Sequence, residues 1–444
     1  MTDVVSKQST VSKVPPFKHT KADVSIYHKV AWRLVPFLCV CYLVSYLDRI
    51  NAGFARLTMQ SDLGFNTAIF GLGAGLFFVG YILFEVPSNL IMTKMGAKIW
   101  IARIMMTWGI ISGLTMFVST PWQFYLLRFL LGVAEAGFLP GILFFLTQWF
   151  PSYRRGKIMA LFIVGMPLSS VIGGPLSGGI LKGLEGAYGL AGWQWLFLLE
   201  ALPTVLLGLA TLVVLPDSIH KANWLGANEK QVLLDRLEQD QDSYSGSSDH
   251  SFKAAISSPR VWLLGGIDFS ILLSAYALGF WLPGFIRDTG VSDPLMIGIL
   301  TSLPNLAAIV GVLIIGYSSD HFRERRWHII VPCLLGAICM FASTFYTHNV
   351  VATVILFSLA SLGIFGAIPV FFSLPGTFLK GTAAAAGFAL ALSVANIAGL
   401  VSNSLMGWML SVTGDPAWAI WFFALCLVLS CLIVISLPKK LVNR

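Results

Sequence analysis

This sequence predicts an all-α integral membrane protein, with twelve transmembrane helices arranged as two six-helix bundles. Three observations carry that expectation. The 444 residues are 56% hydrophobic and 11% charged, with a mean hydropathy of +0.79, whereas soluble domains carry about 25% charged residues. The apolar residues come in long unbroken runs, the pattern of membrane helices and not of the alternating strands of a membrane barrel. The basic residues are distributed unevenly. Of 29 Lys and Arg, 24 lie in the N-tail, in or beside the loops after even-numbered spans, or in the C-tail; Arg56, Lys182 and Arg287 fall on the other side, and Arg49 and Arg128 lie within spans. The positive-inside rule then places both termini and the central loop in the cytoplasm. Distributed this way, the net charge of +8 reports membrane topology and not a nucleic-acid surface.

In chain order, residues 1–30 are polar and basic with no apolar core, so they form a cytoplasmic tail and not a cleavable signal. Residues 31–215 hold the first bundle, with spans near 31–54, 69–93, 99–118, 123–147, 158–182 and 193–215. Spans 1 and 7 exceed the roughly 20 residues a bilayer requires, so tilt is expected. In span 4, Pro140 removes one N–H from the helical ladder and should bend the helix there. Span 5 contains MPLSSVIGGPLSGG, read as close packing and a bend; it is no strand-to-helix turn and lacks the lysine of a phosphate loop. Residues 216–258 form a polar central loop. Its ANEKQVLLDRLEQDQD stretch has helical spacing, and QDQDSYSGSSDHS reads as disordered. A tether is the simpler role for it, and a regulatory one is the alternative. Residues 259–437 hold the second bundle, with spans near 260–286, 295–317, 328–346, 350–375, 383–411 and 417–437, followed by a C-tail at 438–444. A weak internal repeat at an offset of about 225 residues aligns RRGKIMALF with LKGTAAAAGFAL, Gly156 with Gly381, and suggests two bundles rocking about a central site.

All six cysteines lie in apolar spans, with no CxxC pair and no histidine at ligand spacing, so they read as packing residues. No metal, cofactor or catalytic motif is indicated. The chemistry sits in the intramembrane charges, because an Arg or Asp at a bilayer centre costs about 2.5–3.5 kcal/mol even on the lenient insertion scale. Arg128 and Glu135 are seven residues apart on one face of span 4, with Gly132 between them. Two roles fit this pair: an ion pair that locks helices, or a titrating carboxylate beside an anion-binding cation. In span 1, Tyr42, Tyr46 and Arg49 share a face, while Asp48 is turned by about 100° toward Asn51. Arg49 can offer a planar fork to a carboxylate, with the tyrosines over the ligand body. Asp48 either handles protons or balances an arginine. All seven histidines fall in tails, loops or helix ends, so any coupled proton must ride on a carboxylate. Glu85 and Glu200 read as structural. Asp268 reads equally well as an inter-helix bond or as cavity lining. In the second bundle, Tyr276, Phe280 and Trp281 in span 7 and Asn396 and Asn403 in span 11 suit a ligand's hydroxyls and body; Tyr276 and Asn396 are the expected contacts.

The loop segment GYSSDHFRERR, with Gly316, Asp320 and Arg326, resembles the loop signature of the major facilitator superfamily. Within it, YLDRINAGFA, FEVPSNL, RFLLGVAEAGFLPG, WFP and GWQWLFLLE resemble the anion:cation symporter family, which includes bacterial permeases for 4-hydroxyphenylacetate, tartrate, phthalate and sugar acids. The likeness covers nearly the whole chain except the tails and central loop. It implies the major facilitator fold and substrate contact by Arg49. It also implies proton coupling through Asp48 and Glu135, and a latch in which Gly316 allows close packing and Asp320 pairs with a base or caps a helix. The loop after span 2 keeps Gly96 and Lys98 but lacks the Asp. Vesicular glutamate carriers of the family have an arginine in span 7, and this chain does not. The resulting expectation is a monomeric, multi-pass transporter of the inner membrane. It imports a small organic acid, aromatic or hydroxylated, with protons by alternating access through Arg49, Arg128, Tyr46, Tyr276 and Asn396. An exchanger or effluxer without obligatory protons and a carboxylate-sensing receptor are the alternatives; an enzyme is not expected.

Overall fold

The computed structural model describes residues 21–244, 259–374 and 382–438. The tail before residue 21, the Ser-rich stretch, Gly381 with the residues before it in the internal repeat, and the C-tail from 439 lie outside the described residues. The first bundle is built from α1 (Lys21–Leu63), α2 (Thr67–Met95), α3 (Ala97–Leu114), α4 (Pro121–Glu135), α5 (Phe138–Thr147), α6 (Ser152–Gly183) and α7 (Gly192–Val214). The linker helix α8 (Ala227–Tyr244) follows. The second bundle is α9 (Pro259–Asp288), α10 (Pro294–Phe322), α11 (Trp327–Ser343), α12 (Val350–Phe372), α13 (Thr382–Thr413) and α14 (Ala417–Ser436). With α4 and α5 counted as one crossing, these make twelve spans. Among the described residues, ten are long and apolar enough by themselves to cross a membrane, and α11 is a shorter apolar helix. This is a multi-pass membrane protein.

Helix α1 outruns the expected span at both ends. Its 43 residues rise about 65 Å, far more than the oil of a bilayer. Hydropathy marks only the part of a helix that sits in lipid, and here the helix continues beyond it on polar residues. Near its start, Tyr27 is buried against Phe150, and Lys29 bonds Glu229 of α8 at 2.7 Å. Hydrogen bonds from Lys29 and from the Gly226 N–H hold the Glu229 carboxyl below the usual carboxylate range. The linker therefore docks on the first bundle, helped by Trp224 stacked on Trp149 and by the buried Leu233.

Span 4 breaks a turn earlier than Pro140 suggested. Helix α4 stops at Glu135, Gly137 adopts φ 86°, and α5 starts at Phe138. The cause is still Pro140. Its missing N–H would have met the Ala136 carbonyl four residues back, and that carbonyl is the one set free. The Ser88 hydroxyl donates to it at 2.6 Å, and Trp100 Nε1 donates to the Ser88 oxygen at 2.9 Å. A Cβ on Gly137 would lie 2.5 Å from Ser88 Oγ.

The bundles meet along three seams: α2 with α13, α6 with α10, and α1 with α9. Lipid provides no hydrophobic drive between helices, so close approach of small residues does the work. A Cβ on Gly298 would lie 2.1 Å from the Gly174 oxygen. Thr67 donates to Gly407 O at 3.4 Å, Ser302 donates to Val171 O at 3.0 Å, and Lys182 pairs with Asp293 at 2.9 Å. All of these lie in the halves of the helices away from the chain termini. That end, called distal below, is closed.

Candidate functional site

Below the distal seams lies a cavity between the bundles, at mid-helix. From the first bundle it is lined by Tyr46, Arg49, Phe77, Arg128 and Ser170, among others. From the second it is lined by Tyr276, Phe280, Asn305, Phe365 and Asn403.

Arg49 is its best-held charge. Nε donates to Glu135 Oε1 at 2.8 Å, and Nη2 lies 2.7 Å from the same oxygen. The rings of Tyr46, Phe77 and Tyr81 surround the guanidinium at 4.9, 5.1 and 5.3 Å, contacts of the cation–π kind. The Arg49 side chain keeps 17% exposure to the cavity, and that of Glu135 keeps 1%. Glu135 thus closes on Arg49 and not on Arg128, the partner expected on its own helix face. Seven residues rise about 10.5 Å, so a shared face is not contact. Arg128 is buried, its guanidinium 5.5 Å over the Phe77 ring, and its Nε has no partner among the described residues.

Asp48 turns away from the cavity. It accepts from Trp108 Nε1 at 2.7 Å, Thr204 at 2.8 Å, Ser112 at 3.0 Å and Asn51 at 3.4 Å. The i−1 neighbour of Arg49 therefore sits behind the cavity wall, among α3 and α7, with four neutral donors. Glu200, one turn before Thr204 on α7, accepts from the Ser177 hydroxyl at 2.7 Å.

Tyr276 lies in the wall, edge-on to Phe78 at 4.9 Å. Asn396 does not line the cavity; its Nδ2 reaches Glu85 at 3.5 Å. A seven-residue step separates it from Asn403, which does line it. Asn305 and Ser170 were not singled out in the sequence, although an amide in TSLPNLAAI is the same kind of signal as the one in span 11. Asp268 is fully buried, and neither carboxylate oxygen has a hydrogen bond among the described residues.

Arg56, grouped above with the non-cytoplasmic loop cations, is buried in the α1–α9 seam. Its guanidinium lies 4.4 Å from the Trp281 ring, and Nε and Nη1 are unpartnered among the described residues. The reason is length: α1 continues to Leu63, so residue 56 is still inside the helix. In the loop after α10, Asp320 meets Arg325 at 3.5 Å with its side chain 77% exposed, and Arg326 donates to the Ile435 carbonyl. Gly316 is not needed for close packing, since a Cβ there would sit 3.6 Å from Pro369. Within its own bundle, α10 approaches tightly at Gly311, where a Cβ would lie 2.2 Å from the Leu362 oxygen.

Residues 38–402 match the family model of the Major Facilitator Superfamily. The chain is 64% identical to a Pseudomonas putida protein provisionally named metabolite transport protein NicT, over 95% of this chain and 96% of that one. It is 44% identical to an Agrobacterium vitis protein provisionally named a tartrate transporter, over 94% and 95%. A crystal structure of a bacterial homologue of the human lysosomal transporter Spinster shares the fold, with TM-score 0.73 and 15% identity, covering 90% of this chain and 95% of that one.

Proposed function

The chain belongs to the Major Facilitator Superfamily, and we propose that it carries a small organic anion, a carboxylate, across the inner membrane together with protons. One observation carries the reading: two arginines from different helices, Arg49 and Arg128, line one cavity, with Glu135 the carboxylate that closes on Arg49. Asp48 is already saturated by four neutral donors and compensates neither arginine directly. The wall therefore has room for one more negative charge, which suits a monocarboxylate.

The coupling follows from competition for one guanidinium. Ionised Glu135 occupies Arg49. A proton on Glu135 removes its charge, and Arg49 can turn its fork to the incoming carboxylate. Tyr46 and Tyr276 then cover the body of the ligand. Loss of the proton returns Glu135 to Arg49 and releases the anion. With the termini in the cytoplasm, the closed distal end faces outward and the cavity serves the inward side. The latch of Gly316, Asp320 and Arg326 belongs to the opposite, inward-closed state. Asp48 belongs to a second proton position behind the wall.

Uptake of labelled carboxylic acids into proteoliposomes, with and without an imposed pH gradient, tests the reading. Accumulation that depends on the gradient is expected. Accumulation unaffected by it would favour an exchanger, and binding without flux would favour a receptor. Arg49→Lys keeps the charge and loses the fork, so it should weaken binding at least tenfold with folding intact. Near-native affinity in that variant would remove Arg49 from the site.

A further inference from the structure

We propose that the carried anion bears a hydrogen-bond donor, a hydroxyl or an N–H, at the end remote from its carboxylate, and that Asn305 and Asn403 select for it. The inference rests on the anion reading of Arg49 and Arg128.

Both amides are buried, and both line the cavity from the second bundle. Each uses one N–H of its NH2 group on its own helix. Asn305 Nδ2 donates to Thr301 O at 3.0 Å, and Asn403 Nδ2 donates to Gly399 O at 3.0 Å. Only the NH2 end of an amide can donate to a carbonyl, so these bonds decide which way each amide faces. Besides the second N–H, each amide keeps Oδ1, which can only accept. Among the described residues Asn403 Oδ1 is buried without a partner, and no hydrogen bond reaches Asn305 Oδ1. An unmet buried acceptor such as Asn403 Oδ1 is expensive, and a ligand donor relieves it.

The opposite wall has the reverse character. Arg49 and Arg128 can only donate, and both belong to the first bundle. Aromatic surface from Phe78, Tyr276 and Phe365 lies in the same wall. The complement of this cavity has an acceptor anion at one end, an apolar body, and a donor at the other end. Such a ligand ties the two bundles together, which a simple alkyl acid cannot do. A methyl in place of the donor would leave the amide oxygens unmet, and sites built to hydrogen-bond a substrate group reject analogues that lack it.

The test uses matched acids that differ by hydroxyl against methyl: 4-hydroxybenzoate with 4-methylbenzoate, and 3-hydroxybutyrate with 3-methylbutyrate. Their affinities are measured by calorimetry on the purified full chain, on Asn305→Leu and on Asn403→Leu. In at least one pair the hydroxy acid should bind at least tenfold tighter than its methyl partner. The leucine variants should bring that ratio toward one by weakening the hydroxy acid alone. Equal or tighter binding of the methyl acid in both pairs overturns the inference, as does a ratio unchanged in both variants. If the pairs bind equally and Arg49→Lys still abolishes binding, the anion site stands and the donor end falls. If no acid binds, the anion reading falls and takes this inference with it.

Discussion

Replacing Glu135 by Gln separates the site's two jobs, binding an anion and answering to protons. In the wild type, an incoming carboxylate must displace a charge-assisted contact made by both Nε and Nη2 of Arg49 on one oxygen, at 2.8 and 2.7 Å. Hydrogen bonds to charged groups are worth about 1.5–3 kcal/mol, and neutral ones about 0.5–1.5. Gln keeps an acceptor oxygen for a guanidinium that stays charged, so each bond weakens by at most about 1.5 kcal/mol and the two together by at most about 3. At 1.4 kcal/mol per tenfold, that is at most roughly 150-fold in affinity for the anion. Water reaching Arg49, whose side chain is 17% exposed, screens part of this, and a gain of at least tenfold is the working expectation. The variant should still fold, because the Tyr46, Phe77 and Tyr81 rings continue to surround the guanidinium. Wild-type affinity should rise as pH falls, since protonating Glu135 frees Arg49, and the Gln variant should lose that dependence. Uphill uptake driven by a pH gradient should vanish, while counterflow between equal pools persists. Calorimetry at several pH values, with uptake and counterflow of one labelled acid in proteoliposomes, reads all three. A Gln variant that still concentrates substrate under a pH gradient would refute the assignment, as would unchanged affinity.

Other consequences of the geometry can be checked separately. Gly298→Ala puts a methyl about 2 Å from the Gly174 carbonyl, backbone against backbone, so the distal seam should open; a single cysteine at Ser302 in a cysteine-free background should label faster, and unchanged labelling would count against the seam as a gate. Ser88→Ala leaves the Ala136 carbonyl and the Trp100 indole N–H unmet, at about 1–3 kcal/mol for each buried group; thermal unfolding in detergent should show a clear loss, and an unchanged midpoint would contradict the account of the α4–α5 break. Asp320→Asn removes an exposed pair worth at most about 1 kcal/mol, so stability and ligand affinity should hold while cysteine accessibility shifts between the two faces; no shift would remove Asp320 from the latch.

Much of this protein was legible in the chain, and for one reason. Charge in a bilayer is costly enough to be conspicuous, so Arg49, Arg128, Asp48 and Glu135 stood out against the apolar runs. The twelve spans and the uneven basic loops were readable on the same grounds. Tertiary structure alone decided where those charges point. Each helix can rotate about its axis with little change in hydropathy, and packing of small residues across seams such as Gly174–Gly298 sets the rotation. That rotation joined Glu135 to Arg49, turned Asp48 onto Trp108, brought Asn305 and Asn403 to the cavity and left Asn396 on Glu85. It also buried Arg56 against Trp281, a residue the sequence placed near a loop. Spacing along a helix defines a face; the neighbour that meets the face belongs to another part of the chain, and no local pattern encodes it.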